Sequence, residues 1–494
     1  MLLLLPTLLL LVSLPALAAL QRWRPAFKSY WFVAVGSALL AALVWLGLRF
    51  SLPHTAAFAG WRVGGAEFPL SLRLDGFSWP LAFTLAALLL ARLLGSVRRA
   101  SSVEWPAWLP SLSIAAVALP AVVAGDLLTA ALALFVLDAF VLGLHGAVAP
   151  ADERAAIVER FALNAGSVLL ALLAWATPPS YADFGHVLLL LAAGLRLLPL
   201  GIPVATQQPV PAFATMLRLG PQAAALGLLL RVAPLSGLLL QLGLAALLLL
   251  AVWAGLRALK DTGSFAHLHQ GLAALCLAAA AAGAPAAVLG FGFFLLFSET
   301  LVELAGRFMR ARLPLAWLTA LLLCGSPFTL LGGVSQQYAA AASPLVFAFL
   351  LPHALLLLSL LQRAGQPAVG PAPDEPWTLA VETGGAALGP FVFLLLGLLT
   401  ETSGAPLWPG PVVLVLTAAL WGARRSKRSP LPPHWRMPAL RLPSGRRAVA
   451  ALVSGLGSVL RLLSGMLEGE AGLLWAMLFI ALLISIVAQS GLAG

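Results

Sequence analysis

Runs of apolar residues long enough to cross a bilayer recur along the whole chain, separated by short polar joints. A hydrocarbon core needs roughly 20 residues of α-helix to span it. That rule places spans at 2–20, 30–50, 77–94, 108–124, 126–147, 161–176, 184–202 and 212–233. Further spans fall at 236–256, 266–284, 286–306, 314–334, 343–361, 386–401, 410–423 and 471–490. The pattern predicts an all-α polytopic membrane protein of about 14–16 transmembrane helices. The fifteenth span is short.

Three segments break the rhythm. Residues 51–75 alternate Phe68, Leu70, Leu72 and Leu74 around a Gly64-Gly65 pair, the period-two signature of a short hairpin. Residues 364–383 are Pro-rich and acidic and predict a mobile connection. Residues 424–470 open with RRSKRSPLPPHWRMP. The apolar, basic, glycine-interrupted stretch Ala448–Leu467 then predicts a helix lying on the cytoplasmic surface.

One span carries the most information. In Leu188–Leu217 an apolar helix bears Arg196 and then meets Pro199, Pro203, Pro209 and Pro211. Backbone groups freed by such a break cannot face lipid, so protein or a water-filled cavity must satisfy them. A charge beside a broken helix marks an ion path.

Composition agrees with the pattern and removes rivals. The chain has 494 residues, of which 61% are hydrophobic and 10% charged, and the mean hydropathy is +0.99. Its net charge of +11 sits in the joints between spans, which reads as topology and lipid-surface contact and not as nucleic-acid binding. The joints expected to face the cytoplasm hold Arg22/Arg24/Lys28, Arg98/Arg99, Arg154/Arg160, Arg257/Lys260, Arg307/Arg310/Arg312, Arg363 and the Arg424–Arg428 cluster. Opposite joints are poor in Lys and Arg, with Arg62 and Arg73 the main exceptions. The N-terminal apolar run lacks a basic lead and is followed by its charges, so it is expected to be a retained span with the N-terminus outside. Cys276 and Cys324 lie far apart inside apolar runs and suit neither a disulfide nor a metal site.

Few ionisable residues fall inside the spans. Asp138 sits mid-span, where a carboxylate must be neutral, paired or water-exposed. Arg218 and Arg231 are placed to snorkel towards opposite interfaces. His267 and His269 open the tenth span, as interfacial groups or as part of a proton relay. Glu299, Glu303 and Arg307 recur at four-residue spacing on one face of the eleventh, as a structural ion pair or a relay. No phosphate-cradling loop, metal-ligand spacing or nucleophile–base pair is legible. Catalytic residues, cofactors and metals are therefore expected to be none. The glycine-rich pieces GFGF and LLGG are expected to permit close helix packing or a kink.

Across about residues 75–340 these motifs resemble the antiporter-like subunits of respiratory complex I and of multisubunit cation/proton antiporters. Leu74-Asp75-Gly76-Phe77-Ser78 resembles the family's L-D-G-L-S, and Gly125-Asp126-Leu127-Leu128-Thr129 its N-D-L-L-T. Pro209-Val210-Pro211-Ala212 is similar to P-T-P-V after the first broken helix. Gly325-Ser326-Pro327 and Gly332-Gly333-Val334-Ser335-Gln336 are similar to G-L-P-P and G-F-x-S-K at a second break near Pro327. The resemblance implies two inverted five-helix repeats, each with one discontinuous helix. It divides the chain into N-terminal helices (1–106), a first repeat (107–235), a second repeat (236–362) and C-terminal helices with the basic segment (363–494). Partners implied are other integral membrane subunits and lipids, in a bacterial inner membrane.

The departures bear on function. The family's glutamate position is Phe135, with Asp138 one turn later. Its lysine before the first break is Arg196, and its eighth-span lysine is replaced by Gln222 or Ala223. Both basic residues of N-H-A-L-F-K become acidic at Glu299 and Glu303, and the lysine after the second break becomes Gln336. Arginine, with a pKa above about 12, hardly releases its proton, and glutamine carries none. The expected function is a membrane subunit of a complex-I-like or antiporter-like assembly, with weak or lost pumping and a structural or coupling role. The alternatives are a proton channel using an altered Asp138/Arg196/His267/His269/Glu299/Glu303 relay, or an unrelated multi-span carrier.

Overall fold

The computed structural model describes residues 2–425 apart from 24–29, 64–65, 98–107, 149–153, 199–213, 308–311, 328, 341–342, 366–375 and 401–404. The basic segment from 426 onward and the expected last span at 471–490 lie outside the described residues, as do Pro199, Pro203, Pro209 and Pro211.

The N-terminal part consists of α1 (Leu5–Trp23), α2 (Tyr30–Leu48), β1 (His54–Val63), β2 (Ala66–Leu74) and α3 (Ser78–Gly95). Then come α4 (Trp108–Val122), α5 (Leu127–Val148), α6 (Arg154–Ala176), α7 (Ala182–Leu197) and α8 (Ala214–Leu229). They are followed by α9 (Gly237–Lys260), α10 (Ala266–Ala281), α11 (Pro285–Arg307), α12 (Arg312–Leu323), α13 (Gly332–Ala340) and α14 (Ser343–Ala364). Last are α15 (Pro376–Leu399) and α16 (Pro409–Arg425). Eight of the described helices are long and apolar enough to cross a membrane by themselves, and four shorter helical stretches are predominantly apolar.

Burial sorts these helices. α3 and α11 are enclosed nearly all round, whereas α5, α6 and α9 bury only part of their circumference and expose Phe135, Leu169, Leu173 and Leu249. Such exposure is costly in water and costless in lipid, which is how a membrane protein distributes apolar side chains. α3 packs on α2, α4, α8 and α15, and α11 on α8, α10, α13, α14 and α15, so these two helices form the centre.

Prolines act by context. Pro15, Pro120, Pro221, Pro352 and Pro390 all sit inside continuous helices. In α7 the helix stops: Leu198, ahead of Pro199, is extended (φ −80°, ψ 120°), as the residue before a proline prefers. The span expected at 314–334 is split into α12 and α13, which places the second break at residues 324–331. Gly325 holds φ +95° there, a conformation that side-chain-bearing residues rarely adopt. GFGF and LLGG meet across this break: a Cβ on Gly333 would lie 2.6 Å from the Ala286 carbonyl oxygen, and one on Gly290 2.7 Å from Val334.

The hairpin is present, with β1 antiparallel to β2 and a bulge between Phe58 and Trp61. Its second strand pins the α4–α5 joint, since Arg73 N–H donates to the Val123 carbonyl (2.7 Å) and Gly125 N–H to the Ser71 carbonyl (2.6 Å). One expectation is corrected. Residues 364–383 are not wholly a connection, because α15 begins at Pro376 and buries Glu382 to 3% exposure. The acidic look of this stretch hid a helix that packs along α3.

Candidate functional site

The site lies where α5, α6, α7, α8, α10 and α11 converge. Asp138 is halfway along α5 and Arg196 at the end of α7, 58 residues apart in sequence. Arg196 grips Asp138 bidentately, Nη1 to Oδ1 at 2.9 Å and Nη2 to Oδ2 at 2.5 Å. Both side chains are almost wholly enclosed, at 0% and 1% exposure. α6 completes the shell. Arg196 Nε donates to Ser167 Oγ (2.8 Å), Nη2 donates to the Asn164 carbonyl (3.2 Å), and Asn164 Nδ2 donates to Asp138 Oδ1 (3.1 Å). Two charges in a low-dielectric interior survive only when paired and hydrogen-bonded in this way.

A second cluster surrounds Glu299 of α11. Arg218 of α8 pairs directly with its carboxylate. Arg92 of α3 and His269 of α10 each approach to 3.9 Å. Ser298 Oγ donates to the Leu295 carbonyl (2.9 Å), so it accepts from His269 Nε2 at 3.0 Å. Arg160 of α6 lies within electrostatic reach of both Asp138 and Arg218. The arrangement places three arginines, Arg196, Arg160 and Arg218, between two carboxylates, Asp138 and Glu299.

The structure thus brings together Asp138, Arg196, His269 and Glu299. His267 stands apart, with Nδ1 3.4 Å from Gln270 Oε1 and its ring edge-on to Trp253. The Glu303 and Arg307 side chains lie outside the described residues. Arg218, expected to snorkel to an interface, instead supplies the cation at Glu299 and stands one turn before Gln222. Sequence reasoning missed Asn164 and Ser167, although two polar residues at i and i+3 in an apolar span were a legible signal. It also missed Arg92 and the buried pair His353–Tyr338, whose partners are remote in sequence.

The two N-terminal motifs do other work. Asp75 caps α3, accepting from the Phe77 and Ser78 N–H groups at 3.0 and 2.9 Å. Asp126, in the joint ahead of α5, accepts from Ser71 Oγ (2.5 Å), Thr129 N–H (2.7 Å) and Thr129 Oγ (2.7 Å). Burial pushes the Asp126 carboxyl up, but these hydrogen bonds outweigh it and hold the group below its ordinary value. Gly125 is required beside it, because a Cβ there would sit 2.5 Å from Ser71 Oγ. Among the described residues no group of acidic, histidine and cysteine side chains is arranged to hold a metal.

Comparison with known proteins yields no matching family model and no matching curated protein. Solved structures do match. A chain of the membrane-bound sulfane sulfur reductase, an archaeal respiratory membrane complex, superposes with TM-score 0.60 at 16% identity over 97% of this chain and 99% of that one. The Mrp complex from Dietzia sp. DQ12-45-1b gives TM-score 0.61 at 16% identity over 98% of this chain, which spans 63% of the Mrp chain. Respiratory complex I from Thermus thermophilus with bound aureothin gives 0.56 at 21% identity over 84% of this chain and 99% of that one. This chain is a multi-pass membrane protein with the fold of the antiporter-like membrane subunits.

Proposed function

We propose that the chain is a membrane subunit of a complex-I-like or antiporter-like ion-translocating assembly, with weak or lost proton pumping and a structural or coupling role. The observation that carries this reading is the Asp138–Arg196 pair. A relay needs a cation that releases its proton as neighbouring charges move. A guanidinium with a pKa above about 12 does not. Bidentate contact with Asp138 and two further polar contacts from α6 hold it still. Its partner Asp138 and Arg218 both act on Arg160, which suits electrostatic coupling between neighbouring subunits.

Helix packing supports two five-span repeats at 107–235 and 236–362. In the first, α4 packs on α5 and on α8; in the second, α9 packs on α10 and on α14, and α5–α6 corresponds to α10–α11. An odd number of spans turns the second repeat over relative to the first. A cytoplasmic location for the joints after α9, α14 and α16 is supported by Arg363 and Arg424, which both donate to the α9–α10 region at Asp261, Ser264 and Leu259. That orientation puts the N-terminus outside. The partners are other integral membrane subunits and lipids, in a bacterial inner membrane.

A second reading, conduction through an altered relay, draws on Gln222. Its Oε1 is buried without a hydrogen-bond partner among the described residues, one turn from Arg218. Buried polar groups of this kind are normally satisfied by ordered water, which a relay requires. Proton uptake by proteoliposomes separates the two. The proposal expects flux at the level of protein-free vesicles and a measurable rise on Arg196→Lys, which restores a titratable amine. Rapid flux in the unaltered protein, abolished by Asp138→Asn, would establish the relay instead.

A further inference from the structure

His353 is fully buried, 10 residues into the 22-residue helix α14 and about 15 Å from its start. Its two ring nitrogens hold the two halves of the second broken helix. Nε2 lies 2.8 Å from the Leu323 carbonyl, at the end of α12, and Nδ1 lies 2.9 Å from the Tyr338 hydroxyl on α13. The reason is in the sequence. In an unbroken helix the Leu323 carbonyl would accept from the N–H of residue 327, but that residue is Pro327, which has none. His353 supplies the missing donor. A carbonyl only accepts, so Nε2 carries the hydrogen and Nδ1 is a bare lone pair that accepts from Tyr338.

We propose that His353, with Tyr338 and the Leu323 carbonyl, is a proton-binding site at the second helix break. A proton arriving at Nδ1 makes both ring nitrogens donors. Tyr338 then turns its lone pair towards the imidazolium and points its own hydrogen elsewhere, so the bond to α13 reverses direction while the bond to α12 stays. Phe291 and Phe294 enclose the ring, with centroids 5.5 and 6.1 Å from the imidazole. An ionisable group deep in a membrane span, beside a discontinuity, is where proton-linked conformational change is found.

None of the other described titratable and charged groups on elements packed against α14 acts on His353. They are Arg257 and Lys260 on α9, His267, His269 and Cys276 on α10, Glu299 on α11 and Arg424 on α16, with Arg363 on α14 itself. No described charge acts on His353, and Tyr338 is the titratable group in contact with it. The inference does not depend on whether the Asp138–Arg196 pair conducts.

Nitrogen NMR of the full chain in nanodiscs, labelled at histidine, tests the site together with amide exchange of α13. His353→Gln is the reference variant, because glutamine can donate to Leu323 and accept from Tyr338 but cannot titrate. The signal missing in that variant should show the Nε2–H tautomer at about pH 8 and become imidazolium on acidification. Exchange in α13 should rise over the same range in the unaltered protein and stay flat in the variant. Should His353→Gln not fold, Tyr338→Phe serves: His353 still titrates, but α13 no longer responds. An Nδ1–H tautomer, a ring that stays neutral down to about pH 3, or an unchanged α13 response in either variant overturns the proposal.

Discussion

Replacing Asp138 with asparagine keeps the shape of the side chain and removes its charge. The Arg196 guanidinium then retains Ser167 and the Asn164 carbonyl as fixed partners but has no counter-ion, at 0% side-chain exposure. Arg160 also loses the carboxylate that offsets its proximity to Arg218. Breaking one partner of a buried pair costs about 3–5 kcal/mol, while replacing both by apolar groups of similar volume is about neutral or stabilising. Asp138→Asn is therefore expected to lose about 3–5 kcal/mol and Asp138→Leu/Arg196→Met less than about 1 kcal/mol. Graded unfolding by SDS in mixed micelles, run as a double-mutant cycle, measures the coupling. If the single variant loses under about 1 kcal/mol, or the two single losses simply add, the pair is solvated and the account of a closed ion pair is wrong.

The same reasoning reaches other positions. Glu299→Gln strands Arg218, whose side chain is 28% exposed, so its cost in the same micelle unfolding should be smaller than that at Asp138. Gly333→Ala drives a methyl into the Ala286 carbonyl at 2.6 Å; a loss of about 1–3 kcal/mol is expected, and a neutral result in a thermal scan would show that the break is loosely packed. Asp126 is held below its ordinary value, so its contribution is present above about pH 4 and is lost as pH falls through its lowered native value. The stability difference between the protein and Asp126→Asn, followed against pH, should shrink in that acid window and be flat above it. His267→Ala, remote from both charge clusters, should leave the Glu299 cluster's stability and any residual proton flux unchanged.

How much was readable beforehand follows from the distance over which each interaction acts. Span positions were legible because a run of apolar residues is a local property. The hairpin was legible from period-two alternation. α15 was misjudged at its start because Glu382 and the prolines before it imitate a loop, and only the fold buries Glu382. Asp138 and Arg196 were each conspicuous as charges in apolar runs, but their contact spans 58 residues and no periodicity encodes it. The role of Arg218 was misjudged for the same reason, since its counter-ion is on another helix. His353 was invisible: its meaning depends on Pro327 having no N–H and on where α12 ends, which is a consequence of the fold.

The central claim is that Asp138 and Arg196 form a closed, ionised pair. Infrared difference spectroscopy of the membrane-embedded protein near neutral pH reads this directly. The account predicts a deprotonated carboxylate for Asp138 and no protonated carboxyl band that disappears in Asp138→Asn. A protonated band at that position, exchanging with deuterium as the proton gradient is varied, would contradict it.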